Sequence, residues 1–205
     1  ANFTGASQIA NRSGNGTANF ADDSSISNVS GNGSLTIASG KTLTISGGSF
    51  SGSVSGQGAL AKNSASTLTL SGSNVDGYQG STTVNAGTLV FDTDVTLTGQ
   101  VTNNQATLLF TSATGTNTLS SLTNNFGGST IFTGASSVTN VINANGSTLQ
   151  FNGSTIITGG LDNGTGSYVE INAGGTINTL SGGGLTRINN VGVSINERFN
   201  NGQLE

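Results

Sequence analysis

Cysteine, histidine and proline are all missing from these 205 residues. Without cysteine there are no disulfides and no thiolate metal ligands, so the fold must hold by backbone ladder and core alone. Without histidine there is no imidazole to take a serine proton, which excludes the Ser-His-Asp mechanism; zinc hydrolysis loses its ligands as well. Missing proline suits a ladder of interior strands, where each proline would cancel a hydrogen bond. Charge is scarce: 7% of residues are charged and the net charge is −4. The five basic residues, Arg12, Lys41, Lys62, Arg187 and Arg198, stand singly. Nucleic acid binding needs clustered cations that release counterions, so it is not expected. No apolar run approaches the roughly 18 residues of a membrane span. The opening Ala1-Asn2-Phe3-Thr4 lacks the basic start and apolar centre of a signal peptide. Leu204-Glu205 looks like a cloning remnant, so the expectation is an expressed piece of a longer protein, with residues 1–203 as one domain.

What the chain does have is glycine, at 33 positions, and a rhythm. A four-residue segment ending in Phe or Ile recurs as Thr88–Phe91, Thr107–Phe110, Ser129–Phe132, Thr148–Phe151, Tyr168–Ile171 and Leu185–Ile188. Its last residues are separated by 19, 22, 19, 20 and 17 positions. That narrow spread is the size of one coil of a parallel β-helix, and internal repeats of this length outrank other fold signals. Most coils contain a second alternating segment, such as Val95-Thr96-Leu97 or Thr155-Ile156-Ile157. Period-two alternation sends apolar side chains inward and Thr, Ser or Asn outward. Stacking equivalents about 4.8 Å apart places Phe91, Phe110, Phe132 and Phe151 in one internal column of a rod about 45 Å long. Asn-Gly pairs at 15–16, 32–33, 145–146, 152–153, 163–164 and 201–202 supply the positive φ angles that sharp corners require. The expected fold is all-β, a right-handed parallel β-helix with coils of about 20 residues, because right-handed crossovers between parallel strands are strongly favoured. An antiparallel sandwich is the other all-β solution, but it does not need the repeated spacing. The first half is less regular, although Phe3–Ser7 repeats the wording of Phe132–Ser136.

Residues 56–89 carry a motif. It runs Gly56-Gln57-Gly58-Ala59-Leu60-Ala61-Lys62, then Leu68-Thr69-Leu70-Ser71-Gly72-Ser73-Asn74, then Tyr78-Gln79-Gly80, Val84, Gly87 and Leu89. This closely resembles the passenger-associated transport repeat of bacterial autotransporters, G-x-G-x-L-x-K, a Gly-Thr-Leu-Thr-Leu strand and N-x-Y-x-G-x-T-x-V-x-x-G-x-L. The chain departs from it at Ser64-Ala65-Ser66, where the family has Gly and a Gly-Thr pair. The resemblance implies export as a passenger and folding at the bacterial cell surface, with attachment to the outer membrane only through a barrel that this chain lacks. In structural terms Tyr78, Leu68 and Leu70 fill the coil interior and the glycines permit corners.

Chemistry finds little to work with. Parallel β-helices that degrade polyuronates use paired carboxylates, or a base with carboxylate-bound calcium. The candidates here are Asp22-Asp23 and Asp92-Thr93-Asp94, and both read as solvated turn carboxylates. Ser181-Gly182-Gly183-Gly184 leads into Leu185 and not a Lys-Ser/Thr pair, so it is a corner and not a phosphate loop. Thr-x-Thr pairs at Thr42/Thr44, Thr67/Thr69 and Thr96/Thr98 are spaced too unevenly for a flat ice-binding face. No catalytic residue, metal or cofactor is therefore expected. The expected role is contact with a host-cell surface protein or glycan, or with another copy of the chain. A polysaccharide-degrading enzyme and a plain stalk are the alternatives.

Overall fold

The computed structural model describes residues 1–72, 78–199 and 202–205, and every regular element among them is a β-strand. Every strand pairing is parallel. One unbroken register column measures the coil: Ser7, Ser24, Leu43, Leu60, Thr82, Val101, Leu122, Val141, Leu161, Leu180 and Arg198. These are ten steps of 17 to 22 residues, averaging about 19, so the expected parallel solenoid is present throughout. The first half keeps this pace despite its irregular wording.

Each coil has three faces. Face A holds the column above. Face B holds the segments Thr67–Leu70, Thr88–Phe91, Thr107–Phe110, Ser129–Phe132, Thr148–Phe151, Tyr168–Ile171 and Leu185–Ile188. Face C begins with the four-stranded sheet Asn2–Phe3, Thr17–Phe20, Ser34–Ile37 and Ser53–Gly56, to which Tyr78 is bridged. It continues through Leu97, Leu119, Val138, Ile157, Ile177 and Ile195.

Alternation makes one dry core from the three faces. Phe91, Phe110, Phe132 and Phe151 are at most 1% exposed and form a continuous ring stack, with centroids 5.2, 4.4 and 5.1 Å apart. Leu70 precedes this column and Ile171 and Ile188 follow it. Phe3 stacks on Phe20 at 5.0 Å, but on face C. The shared wording of Phe3–Ser7 and Phe132–Ser136 therefore turns two different corners.

One expectation is corrected here. Asparagine does not always point outward: Asn103, Asn124, Asn143 and Asn163 lie inside, at most 1% exposed, on consecutive coils at the corner between faces A and B. Each Nδ2 donates to the next Oδ1, at 3.0, 2.9 and 3.0 Å, and the last donates to Thr186 Oγ1 at 3.1 Å. The same nitrogens also bond the carbonyls of the turns they face, for example Gly128 at 3.1 Å and Thr148 at 2.7 Å from Asn124. A carbonyl has two lone pairs, and at this corner the buried carboxamide supplies a second donor beside the backbone N–H of the next coil, as at Gly128, whose carbonyl also accepts from the Thr148 N–H at 2.9 Å.

Candidate functional site

Where faces A and B meet, the cross-section changes along the rod. In the early coils one strand crosses the corner without a break, as in Ser24–Gly31 and Thr42–Phe50. Thr42–Phe50 then pairs with two separate strands, Ala59–Lys62 and Thr67–Leu70. From this coil onward a turn separates A from B, and from Thr96 onward C and A fuse into long bent strands such as Thr96–Asn104 and Thr116–Asn125. Register irregularities between Leu97 and Gln100, and between Val138 and Asn140, mark the bends. The motif read from the sequence begins at this switch.

Lys62 fills the new corner. It is 0% exposed, and its register column continues through Val84 to Asn103. Its Nζ donates to the carbonyls of Ser64 and Ala86, the latter at 3.2 Å, and to Ser64 Oγ at 3.3 Å. An ammonium has three donors, and three oxygens receive them. Burial pulls its pKa below the usual lysine value, and no carboxylate counters it. Lys62 thus does for its turn what the asparagines do for theirs. The turn Asn63–Ser66 is also tied back to the previous coil, because Ser64 and Ser66 hydroxyls donate to the Ser46 carbonyl at 2.6 and 2.8 Å.

Leu60, Leu68, Leu70, Tyr78, Val84 and Leu89 lie in the core, at most 2% exposed. The Tyr78 hydroxyl donates to the Ser81 carbonyl at 2.5 Å, and burial pushes its pKa up to about 12. Gly56 and Gly87 adopt φ of 103° and 69°. Gly58, Gly80 and Gly72 pack so tightly on the preceding coil that a Cβ would overlap a backbone carbonyl. Asn74 lies outside the described residues, as does Asn201 of the last Asn-Gly pair.

Among the described residues the candidate carboxylates do not assemble into a site. Asp22 accepts from Lys41 at 2.8 Å, and this hydrogen bond holds its pKa below the usual carboxylate range. Asp23 accepts from the Thr42 backbone N–H at 2.7 Å. Asp92 is exposed and accepts from Thr111 at 2.6 Å. Asp94 lies against the Gly115 backbone, one oxygen buried and without a hydrogen bond. The three Thr-x-Thr pairs lie on faces A, B and C respectively, so they never form one array. Among the described residues no three Asp or Glu side chains gather as metal ligands would.

Outer columns that the sequence did not announce appear on face C. Thr96, Thr118, Ser137, Ile156, Thr176 and Ser194 stand in register on six consecutive coils. Beside them Asn178 and Asn196 are joined at 3.2 Å. Similar outward pairs link Asn63 to Asn85, Asn85 to Asn104, Asn152 to Asn172 and Asn172 to Asn189, at 2.7 to 3.0 Å.

Compared with known families, residues 60–91 match the passenger-associated-transport-repeat. The match covers the switch coil and the coil after it, and it fits an autotransporter passenger domain. No curated protein and no solved structure matches the chain.

Proposed function

We propose that this chain is a segment of a cell-surface passenger that works by contact and not by catalysis. It meets a host-cell protein or glycan, or a further copy of itself, and reaches the outer membrane through a barrel elsewhere in the full protein. One observation carries the reading: the uncharged column of Thr96, Thr118, Ser137, Ile156, Thr176 and Ser194 presents a Thr or Ser on five of six consecutive coils, interrupted only by Ile156. Short side chains lose little rotamer entropy on being ordered. Each net hydrogen bond contributes only about 0.5–1.5 kcal/mol, so strength comes from repetition along the rod and from many copies on one cell. With so few ionic groups, long-range repulsion between two such rods is small.

The test places charge on that column. Thr118→Asp combined with Thr176→Asp leaves both side chains pointing to solvent and the core untouched. Cells displaying the variant should adhere to host cells, or to one another, less than cells displaying the parent chain. Adhesion undiminished from the parent's, both in the variant and in cells lacking residues 1–205, would leave the chain as a stalk. Cleavage of polyuronates by the purified chain, lost on Asp92→Ala or Asp94→Ala, would establish the enzyme instead.

A further inference from the structure

The Asn-Gly pairs are chemically alike in sequence, but the solenoid holds them differently. Asn163 is buried in the inner ladder, its Nδ2 donating to the Leu185 carbonyl at 2.8 Å, and the Gly164 N–H donates to the Asn143 carbonyl at 2.7 Å. At Asn145 the side chain bonds Asn125, and the Gly146 N–H donates to Ser167 Oγ at 3.2 Å. Asn152 accepts from Asn172 at 2.8 Å, and Gly153 is pressed against the Gly134 backbone. Asn32 is exposed, but Gly33 is buried between coils: a Cβ there would overlap the Gly16 carbonyl oxygen, and one on Gly52 would overlap that of Gly33.

Asn15-Gly16 differs from all four. Residues 13–17 are exposed without interruption. Asn15 makes no side-chain hydrogen bond, and a Cβ added at Gly16 would meet nothing within 4 Å. The loop is tied down only through carbonyls: Arg12 donates to those of Ser13 at 2.6 Å, Gly14 at 3.5 Å and Gly16, and Ser34 N–H donates to that of Gly16 at 3.2 Å. The Gly16 nitrogen and the Asn15 side chain are therefore left able to meet.

We infer that Asn15-Gly16 is a self-modification site, at which the folded chain converts asparagine to aspartate and isoaspartate using only water. The Gly16 backbone nitrogen attacks Cγ of Asn15. The new N–Cγ bond forms as the Cγ–Nδ2 bond breaks, ammonia leaves, and the Gly16 proton ends on that ammonia. Water then opens the five-membered imide at either carbonyl, giving aspartate, or isoaspartate where the main chain runs through Cβ. The product adds one negative charge beside Arg12 and takes the net charge from −4 to −5. An open loop accommodates the extra main-chain atom of isoaspartate without disturbing a rung. The inference is independent of the contact function.

The experiment is a time course of the 205-residue chain at mildly alkaline pH, read by peptide mass mapping and by enzymatic methylation of isoaspartate. Modification at Asn15 should outpace that at Asn32, Asn145, Asn152 and Asn163 by about tenfold or more, because local order must open before the held pairs can react. In concentrated urea the five rates should converge. Gly16→Ala is sterically tolerated, and it should bring Asn15 down to the rate of the held pairs while the fold persists by circular dichroism. Similar rates at all five pairs in the folded chain, or a Gly16→Ala variant that reacts as fast as the parent, would overturn the assignment.

Discussion

A carboxamide inside a hydrophobic core brings two donors and an acceptor that must all find partners. Asn124 finds them in Asn103, Asn143, Thr130 and two turn carbonyls, so it is fully engaged. Asn124→Leu would leave Asn143 Oδ1 without the amide that donates to it and would take one donor from each of the two turn carbonyls, each at about 1–3 kcal/mol. The expected loss is at least about 3 kcal/mol in urea unfolding, and an unchanged midpoint would refute the ladder's role. Asn124→Asp should fail in a pH-dependent way. Burial raises the pKa of the new carboxyl in the folded state, so stability is greatest below the unfolded aspartate value of about 3.9 and falls as pH rises above it. Two buried native groups contribute at alkaline pH. Burial pushes the Tyr78 pKa up to about 12 in the folded state, against an ordinary tyrosine value of about 10 when unfolded, so stability present below 10 is lost as pH rises toward 12. Lys62 acts in the opposite sense: its folded pKa is lowered, so stability rises with pH in the window below 10.5. Tyr78→Phe should therefore flatten the alkaline arm of a stability–pH curve, whereas an arm as steep as the parent's would show that other groups control it. None of this ladder was legible beforehand. In a chain so rich in Asn, a polar letter on an alternating strand reads as outward, and only the three-dimensional corner shows which carbonyls need a donor.

At the level of strands and corners, the readable signal was volume at fixed spacing. Phe91, Phe110, Phe132 and Phe151 announced a coil because a large apolar side chain recurring about every 20 residues has no other economical explanation. Phe132→Ala should cost about 3–5 kcal/mol by opening a cavity between two stacked rings. What spacing could not give was the side of the coil. Phe3 and Phe132 share flanking residues yet lie on different faces, since the local phrase fixes a turn and not its place in the cross-section. Glycine was equally ambiguous. Gly52 sits where a Cβ would overlap the Gly33 carbonyl oxygen, while at Gly160 the nearest atom to an added Cβ is 3.9 Å away. Gly52→Ala should therefore unfold or shift its coil, and Gly160→Ala should leave thermal stability within about 0.5 kcal/mol, as surface substitutions usually do. Equal effects from the two would mean that close coil-to-coil approach is not what places these glycines.

Across the whole rod, a solenoid couples each coil only to its neighbours, so stability is a sum of local units and interface terms. Two blocks can be distinguished along the axis. The early coils cross from face A to face B without a turn, and the later coils carry the asparagine ladder and the phenylalanine stack. The coil of residues 59–70 joins them, with Lys62 bonding turns on both its own coil and the next. The block after the joint has a stacked ring column and a hydrogen-bonded asparagine column, whereas the block before it has one stacked ring pair, Phe3 on Phe20, with Phe50 and aliphatic columns such as Ile9, Ile26 and Ile45. A lesion before the joint should consequently remain there. In Gly52→Ala, hydrogen exchange should lose protection over roughly the first third of the chain while Phe91–Ile188 stays protected, and a protease should leave a resistant C-terminal fragment. Lys62→Met removes the donor that bridges the two blocks, leaving the Ser64 and Ala86 carbonyls unmatched, and should uncouple their unfolding into two transitions. A single cooperative transition in both variants, with protection lost evenly from end to end, would show that the rod unfolds as one body and that the switch coil is not a joint.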